Sequence, residues 1–279
     1  MSIPVTEKMV NGLCIRKYKM SRTYVIGEIG INHNGNINIA KNLVDCAKLA
    51  DVDCVKFQYF VKEETEEVWN KIKDYALDQY MLDGLISCCR QRNIDFLCSA
   101  FGKVSATVLK DLGQTAIKIP SGKIVDLEYL EYISKLFNEF YISTGMANFN
   151  EVEDAVKALG HKNKVNIMHC VSAYPAPFDS LNLNAIKNLQ EYYPLRTIGF
   201  SDHSLDICTG GLAVAVGAKV IEKHLTLDCK MEGPDHNMSL IPDELKMYVD
   251  IIRSAEKALG NGKIKCEECE KELLFRRQS

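Results

Sequence analysis

The stretch TIGFSDHSLD, residues 197–206, ends a short apolar run on four polar residues, one of which is a histidine. After a helix-like stretch with glycines, the segment KVIEKHLTL, residues 219–227, repeats the arrangement, because a Val-Ile run is followed by Glu-Lys-His. A buried strand that ends in polar side chains, then a helix, then another such strand is typical of a parallel α/β sheet. These two segments therefore predict the fold class.

The same unit recurs along the whole chain. The strand candidates are TYVIGEIG (23–30), CVKFQ (54–58), DFLCSA (95–100), AIKIPS (116–121), FYISTG (140–145), KVNIMHC (164–170), TIGFSD (197–202) and KVIEKH (219–224). Helical periodicity fills the spaces between them; Val152, Ala155 and Leu159, for example, fall on one face of a predicted helix. We expect Asn150 to be the N-cap of this helix and Gly160 to end it.

Eight strand–helix units in 279 residues predict a closed (β/α)₈ TIM barrel. The main alternative is an open doubly wound sheet, which usually carries a G-x-G-x-x-G fingerprint after its first strand. The segment GEIGINHNG, residues 27–35, lacks that fingerprint. We expect residues 1–22 to form an extension or hairpin that closes the barrel bottom, residues 23–262 to form the barrel, and residues 263–279 to form a charged tail.

Composition excludes several classes of partner. A net charge of −3 offers no basic surface for nucleic acid or an anionic membrane, and no apolar run is long enough to span a bilayer. The eleven cysteines and the lack of a signal-peptide core predict a cytoplasmic protein. Cys266 and Cys269 form a single C-x-x-C pair in the charged tail, where a solvated tail is favoured over a zinc or redox site.

Every predicted strand has polar residues at or near its C-terminal end. In chain order they are Glu28, Asn32, His33, Lys56, Gln58, Ser99, Lys118, Ser121, Ser143, Thr144, His169, Ser172, Tyr174, Ser201, Asp202, His203, Glu222 and His224. In a TIM barrel the chemistry collects at this end of the strands. The sequence therefore predicts a polar, ligand-binding mouth.

Two lysines in this set, Lys56 and Lys118, lie within strands that are otherwise apolar. A buried ammonium group is costly without a partner. With Ser121, Ser143 and Ser201 nearby, the lysines suit the phosphate and carboxylate groups of one small anionic substrate. The alternative is two structural salt bridges.

His203 and His224 end neighbouring strands, so their rings can converge. Two histidines together with oxygen ligands suit a divalent metal such as Mn²⁺ or Zn²⁺. The alternative is that each histidine is a hydrogen-bonded core residue. Glu28 is a candidate general base or orienting carboxylate, and it can also be the partner of Lys56.

Seven sequence blocks, in order along the strands, carry a resemblance to a known family. They are Gly27–Gly35, Val55–Gln58, Lys118–Gly122, Ser143–Met146, His169–Cys170 with Tyr174–Pro175, Gly199–His203, and Glu222–His224 with Gly233–His236. Together they resemble the pattern of the sialic acid synthase family over residues 23–260. Any one block alone is a weak signal, but their number and order make a strong one.

The resemblance implies an enzyme that condenses phosphoenolpyruvate with an N-acylmannosamine-type sugar, giving a nine-carbon 2-keto acid and phosphate by C–O cleavage. It also implies a homodimer and roles for individual residues. Phosphoenolpyruvate would be bound by Lys56, Lys118, Ser121, Ser143, Ser172 and Ser201, Mn²⁺ by His203 and His224, and the sugar hydroxyls by Gln58, Tyr174 and Asp235. Glu28 would assist the attacking water or its proton transfers, and Mn²⁺ would polarise the sugar aldehyde.

The chain departs from the family pattern at three places. Lys123 stands where the family usually has an acidic residue, and either it reverses the local charge or it turns out to solvent. Ser172 replaces a common asparagine. The chain ends at Ser279, where family members commonly continue into an antifreeze-like domain that caps the partner's barrel, so we expect an open site with weak acceptor binding unless residues 59–74 close it.

Two other functions remain open from the sequence. The first is a related phosphoenolpyruvate-dependent synthase for another nonulosonate or a 3-deoxy sugar acid, which would differ only in the acceptor pocket. The second is a catalytically silent barrel that acts as an interaction subunit. Lys123 and the lack of the capping domain favour the second, whereas retention of Glu28, both lysines and both histidines argues against it.

Overall fold

The computed structural model describes residues 5–10, 13–18, 22–63 and 66–277. Its strands are β1 (Val5–Val10), β2 (Leu13–Tyr18), β3 (Tyr24–Gly30), β4 (Cys54–Tyr59), β5 (Asp95–Ala100), β6 (Ala116–Ile119), β7 (Glu139–Ser143), β8 (Lys164–Cys170), β9 (Thr197–Asp202) and β10 (Val220–His224). Strands β3 to β10 pair in parallel in chain order, and β10 returns to pair with β3. The predicted closed eight-stranded barrel is confirmed.

A helix or helix pair follows each barrel strand. The helices are α1 (Ile37–Leu49), α2 (Glu66–Ile72), α3 (Gln79–Gln91), α4 (Lys103–Asp111), α5 (Leu127–Ile133), α6 (Phe149–Leu159), α7 (Asn184–Tyr192), α8 (Thr209–Ala215) and α9 (Pro242–Leu259). One correction concerns the start of α6, because Asn148 rather than Asn150 is its N-cap. The Asn148 side chain accepts hydrogen bonds from the backbone N–H groups of Asn150 and Glu151, and Gly160 ends the helix as predicted.

Side chains alternate between the inside of the barrel and the helix layer, as the pleat of each strand requires. The outward residues pack with the helices into the main apolar core, which includes Val25, Phe57 and Phe140. A second, smaller apolar cluster consists of Ile26, Cys54, Leu97, Tyr141, Met168 and Val220. These inward residues form an apolar layer across the barrel, and buried polar residues two positions further along, such as Glu28, Lys56 and Glu222, lie above it.

The N-terminal segment contains an antiparallel pair of strands, β1 and β2. Residues 1–4, 11–12 and 19–21 lie outside the described residues, so the expectation that this segment closes the barrel bottom stays a prediction. A depression of about 880 Å³ opens at that end, opposite the predicted mouth. Its acidic walls are already paired, because the hydroxyl of Tyr24 donates to Asp95 at 2.6 Å and that of Tyr141 donates to Glu139 at 2.7 Å.

The C-terminal tail is exposed over residues 260–277, with a 3₁₀ stretch at Glu268–Arg276. Cys266 and Cys269 are exposed free thiols there. Within the described ranges, no helix is both long and apolar enough to cross a membrane.

We predict that Gly199→Ala destabilises the barrel by about 2 kcal/mol, since overpacking a strand contact typically has a cost of this size. A Cβ at position 199 would lie 2.6 Å from the carbonyl oxygen of Val220, so β9 and β10 would have to separate. The matched control is Gly84→Ala in α3, where nothing lies within 4 Å and alanine favours the helix. Urea denaturation measures both variants, and equal stability of the two would contradict the close approach.

Candidate active site

Four buried charges meet inside the barrel, one layer above its apolar floor. They belong to Glu28, Lys56, Lys118 and Glu222, which we call the four-charge cluster. Lys56 Nζ lies 2.8 Å from Glu28 Oε1 and 3.8 Å from Glu222 Oε1, and Lys118 Nζ lies 3.7 Å from the same Glu222 oxygen. Each of these side chains is at most 4% exposed. Glu222 therefore bridges the two lysines.

Hydroxyl groups surround the cluster. The ammonium of Lys118 donates to Ser143 Oγ at 2.7 Å, and that of Lys56 donates to Ser99 Oγ at 3.3 Å. The hydroxyl of Ser201 donates to Glu222 Oε1 at 3.0 Å. The strands thus place their inward serines beside the charges, within reach of any anion that the lysines bind.

A second group of small side chains lies next to the lysines at the ends of β6, β7 and β8. The backbone N–H of Gly145 donates to Ser121 Oγ at 3.2 Å, and Ser121 Oγ is 3.6 Å from the Cys170 sulfur. A Cβ at Gly145 would collide with the hydroxyls of Ser121 and Ser172. The three predicted residues Ser121, Ser143 and Ser172 are therefore on one side of the mouth, and a glycine is required for their close approach.

The cluster contains two ammonium groups and two carboxyl groups, and burial pushes their pKa values apart. Burial raises the pKa of Glu28 and lowers that of Lys118. Burial alone would also raise the pKa of Glu222, but the two neighbouring lysines outweigh it and lower that pKa. For Lys56, burial opposes the charge, yet Glu222 and Glu28 raise its pKa. The two carboxyl groups therefore differ in how readily they hold a proton.

Two carboxylate oxygens of the cluster, Glu28 Oε2 and Glu222 Oε2, are buried and have no hydrogen-bond partner among the described residues. Native structures rarely leave such oxygens unsatisfied, so each one points to a group that binds there. Glu222 appeared among the polar strand-end residues of the sequence, but no role was predicted for it. The available signal was its position two residues before His224, which puts both side chains on the inside of the barrel.

The rings of His203 and His224 pack edge to face beside the cluster, with centroids 5.6 Å apart and an angle of 62° between their planes. His203 Nδ1 lies 3.0 Å from the Val171 carbonyl oxygen. Because a carbonyl only accepts, Nδ1 carries the hydrogen and the lone pair of Nε2 is left for another partner. His224 Nδ1 is buried without a protein partner among the described residues and lies 3.9 Å from Asp235 Oδ2.

The two imidazoles differ in their pKa shifts. Burial, followed by the charge of His203, lowers the pKa of His224 well below its usual value, so this ring is neutral. Burial alone would lower the pKa of His203 as well, but the contact with the Cys170 thiol raises it. Neutral imidazole nitrogens are good metal ligands.

The three predicted sugar-binding residues each contact one member of this constellation. Gln58 Nε2 donates to Glu28 Oε1 at 3.1 Å, the half-exposed ring of Tyr174 lies 4.3 Å from the His203 ring, and Asp235 approaches His224. Burial raises the pKa of Asp235. Tyr174 and Asp235 therefore lie beside the histidines, whereas Gln58 lies beside Glu28.

Other strand-end residues have structural partners instead. His169 faces outward, stacks on Phe200 with ring centroids 6.0 Å apart, and contacts the Leu181 carbonyl oxygen through Nε2 at 2.7 Å. Asn32 donates to the Leu225 carbonyl at 2.9 Å and joins the loops after β3 and β10. Asp202 also points outward, into the helix layer.

Lys123 is partly buried against α5 rather than turned fully into solvent. Its Nζ lies 3.6 Å from Asp126 and 5.8 Å from the centre of the Tyr129 ring, and 23% of the side chain is exposed. Asp126 is also the N-cap of α5, so the lysine lies beside the first turn of that helix.

The acidic segment after β4, residues 59–74, contacts two loops at the rim of the mouth. The carboxylate of Glu63 accepts hydrogen bonds from the backbone N–H groups of Val104 and Ser105 at 2.6 and 3.0 Å, at the start of α4. At the other end of the segment, the carbonyl of Asp74 lies so close to Gly35 that a Cβ there would be 2.5 Å from it.

Comparison with known proteins identifies the relatives of this chain. The sequence model of the NeuB family matches residues 43–264. The chain is 39% identical to the N,N'-diacetyllegionaminic acid synthase of Campylobacter jejuni, over 91% of this chain and 83% of that protein. It is 35% identical to the enzyme of the same name from Legionella pneumophila, over 93% and 79% of the two chains.

Among solved structures, the N-acetylneuraminic acid synthetase of Leptospira borgpetersenii in complex with citrate superposes with a TM-score of 0.87 at 32% identity. The match covers 98% of this chain and 96% of that chain. The resemblance predicted from the seven sequence blocks is thus confirmed, and this chain belongs to the NeuB family of sialic acid-type synthases.

Proposed function

We propose that this chain is a nonulosonate synthase that condenses phosphoenolpyruvate with an N-acylmannosamine-type aldehyde sugar and releases phosphate by C–O cleavage. The observation that carries the proposal is the four-charge cluster with its serines, directly beside the two adjacent histidines at the C-terminal end of the barrel. Membership of the NeuB family supports the same reaction, since its relatives are synthases of legionaminic and sialic acids.

Phosphoenolpyruvate would bind to the ammonium groups of Lys56 and Lys118. Ser121, Ser143, Ser172 and Ser201 would add hydrogen bonds to its phosphate and carboxylate. Before substrate binds, the charges of the cluster balance, so the anion has to compete with Glu222 for the lysines. The incoming phosphate and carboxylate would form charge-assisted hydrogen bonds of the same kind as those that Glu222 gives up, and the serines would add further hydrogen bonds to the substrate.

His203 and His224 are the residues that would hold a divalent metal, for which we propose Mn²⁺. The unpartnered, buried nitrogen of His224 supports this role. In the part of the chain that is described, no three His, Cys, Asp or Glu side chains converge as a ligand set, so substrate oxygens and water would complete the coordination. When bound, Mn²⁺ supplies a Lewis acid beside the acceptor aldehyde.

The proposed reaction forms one C–C bond and breaks one C–O bond. Carbon 3 of phosphoenolpyruvate attacks the aldehyde carbon, and positive charge develops at carbon 2. Water then adds to carbon 2, and the bond between carbon 2 and the bridging oxygen breaks as phosphate leaves. The former aldehyde carbon, which becomes carbon 4 of the product, carries an alkoxide that takes one proton of that water. The other proton leaves with phosphate as the ketone forms.

Glu28 is the group best suited to move a proton in this sequence. Its pKa is raised by burial, and its Oε2 has no protein partner in the described structure. Glu222, whose pKa is lowered by the lysines, stays ionised and serves as their counter-ion until substrate arrives. Two carboxyl groups with opposite shifts are typical of sites that separate acid–base and electrostatic roles.

The acceptor would lie against Gln58, Tyr174 and Asp235. An N-acetylated sugar is the proposed class, because the relatives described above act in legionaminic and sialic acid synthesis. A homodimer in the cytoplasm is also part of the proposal. The ten described cysteines are all free, which supports a reducing compartment.

Phosphate release from phosphoenolpyruvate tests the function directly. We expect release in the presence of Mn²⁺ only when an acceptor from a panel of N-acyl mannosamine-type sugars is added. Reactions without acceptor control for simple hydrolysis. No release with any acceptor would contradict the synthase and would favour a catalytically silent barrel.

Lys118→Met should keep the fold and weaken phosphoenolpyruvate binding about 30-fold or more, the loss expected for a hydrogen bond to a charged group. Isothermal calorimetry measures the affinity, and circular dichroism confirms the fold. The control is Lys157→Met, which removes an exposed lysine that pairs with Glu153 in the last turn of α6, at the end of the barrel away from the mouth. A folded Lys118→Met protein with unchanged affinity would refute the role.

His203→Ala should weaken Mn²⁺ binding at least about 100-fold, because losing a ligand exceeds the effect of losing a group that orients one. The bound metal is counted by electron paramagnetic resonance of free Mn²⁺. His161→Ala, at an exposed position, is the matched control. Full Mn²⁺ occupancy in the His203 variant would show that the metal binds elsewhere.

A further inference from the structure

A buried ion pair outside the four-charge cluster lies directly behind the histidines, on the outer side of the barrel wall. Lys223 Nζ is 3.1 Å from Asp202 Oδ2, and both side chains are fully buried. The two residues are register partners on β10 and β9. Neither of them faces the mouth, so the proposed reaction makes no use of their charges.

The pair is embedded in a network that satisfies its polar atoms. Asp202 Oδ1 accepts from the Ser204 backbone N–H at 2.9 Å and from the Ser204 hydroxyl at 2.7 Å. Asp202 Oδ2 accepts from the hydroxyl of Tyr248 at 2.8 Å and from that of Thr209. Lys223 donates to the Ser204 carbonyl, and its Nζ lies 5.3 Å from the centre of the Tyr248 ring.

The network joins four separate elements. Asp202 ends β9, Lys223 is the last residue but one of β10, Thr209 begins α8, and Tyr248 lies in α9. Gly210 makes room for the contact, because a Cβ there would lie 2.5 Å from Tyr248 Cζ. The backbone around the pair is thus shaped to bring the tyrosine hydroxyl onto the carboxylate.

The position of the pair along the strands gives it a consequence inside the mouth. Asp202 lies between the inward residues Ser201 and His203, and Lys223 lies between Glu222 and His224. His203 follows the last residue of β9, so the strand ladder does not fix it. Two bonds of its own hold it, from the Ala176 N–H to its carbonyl at 2.9 Å and from its Nδ1 to the Val171 carbonyl, and the side-chain bonds of Asp202 and Ser204 on either side fix the backbone that carries it.

Stability alone does not account for such a pair. Burying two charges costs about as much as their attraction returns, and apolar residues of similar size often serve equally well. A fully satisfied buried network does fix one arrangement of the elements that it joins. We propose that Asp202, Lys223, Ser204, Thr209 and Tyr248, the strand-end clamp, set the separation and orientation of the His203 and His224 imidazoles. They are positioning residues, since none of them touches the substrate site.

Two conservative variants loosen the clamp without removing a charge. Tyr248→Phe and Thr209→Val each delete one hydroxyl that donates to Asp202 and keep nearly the same side-chain volume. Thr209→Ser retains the donor and should behave like the original protein. The matched control is Tyr129→Phe, which deletes another buried tyrosine hydroxyl, one that donates to the Ala100 carbonyl at 2.8 Å.

The first readout needs no metal. In protein with ¹⁵N-labelled histidine, we expect the ring resonances of His203 and His224 to shift in Tyr248→Phe and Thr209→Val and to stay in place in Thr209→Ser and Tyr129→Phe. The rings of His33, His161, His169 and His236 should be unchanged in all four variants. Unchanged resonances of His203 and His224 in both loosened variants would overturn the proposal, and so would equal shifts of every histidine.

The second readout rests on the proposed metal site. Mn²⁺ affinity should fall about tenfold in Tyr248→Phe and Thr209→Val, as for other residues that orient a ligand, while phosphoenolpyruvate affinity without metal stays within about twofold. An equal loss of both affinities would overturn the positioning role in favour of general loosening. Failure of the original protein to bind Mn²⁺ would count against the metal site alone. The ring resonances of His203 and His224 would still test whether the clamp positions the two imidazoles.

Discussion

Successive side chains on a barrel strand face opposite sides, and the site depends on that alternation. At the ends of β9 and β10 it sends Ser201 and Glu222 inward, Asp202 and Lys223 outward, and His224 inward again. Shifting either strand by one residue would turn the inward groups of the mouth outward and put the clamp residues in their place. The apolar layer below the mouth follows the same rule, because Met168 and Val220 occupy inward positions two residues before the inward residues of the mouth on their strands.

Charge pairing is the second constraint on the mouth. Four charges at most 4% exposed can coexist only because each ammonium has a carboxylate and a hydroxyl within reach. The pairing keeps the lysines in place without substrate, so in the proposed reaction the anion meets ammonium groups that are already positioned and only Glu222 has to move. The same arrangement explains why the carboxyl groups shift in opposite directions: Glu222 contacts both lysines, whereas Glu28 contacts one.

Much of the fold could be predicted from the sequence, because apolar runs and helical periodicity repeat eight times. The lysines, serines and histidines of the mouth could also be predicted, because they lie at the ends of the predicted strands. The outward orientation of His169 was readable from its parity with Val165 and Ile167, both in the outer core. The bridging role of Glu222 was not, since it depends on distances between strands that are far apart in the chain. The N-cap at Asn148 differs by two residues from the prediction because local hydrogen bonds decide helix ends.

The central claim is that phosphoenolpyruvate binds to the lysines of the four-charge cluster and takes the place of Glu222. A crystal structure of the protein with phosphoenolpyruvate tests it most directly. We expect substrate oxygens within hydrogen-bond distance of Lys56 Nζ and Lys118 Nζ, with Glu222 no longer bridging the two. Phosphoenolpyruvate bound elsewhere, for example in the depression at the N-terminal end of the barrel, with Glu222 still between the lysines, would contradict it.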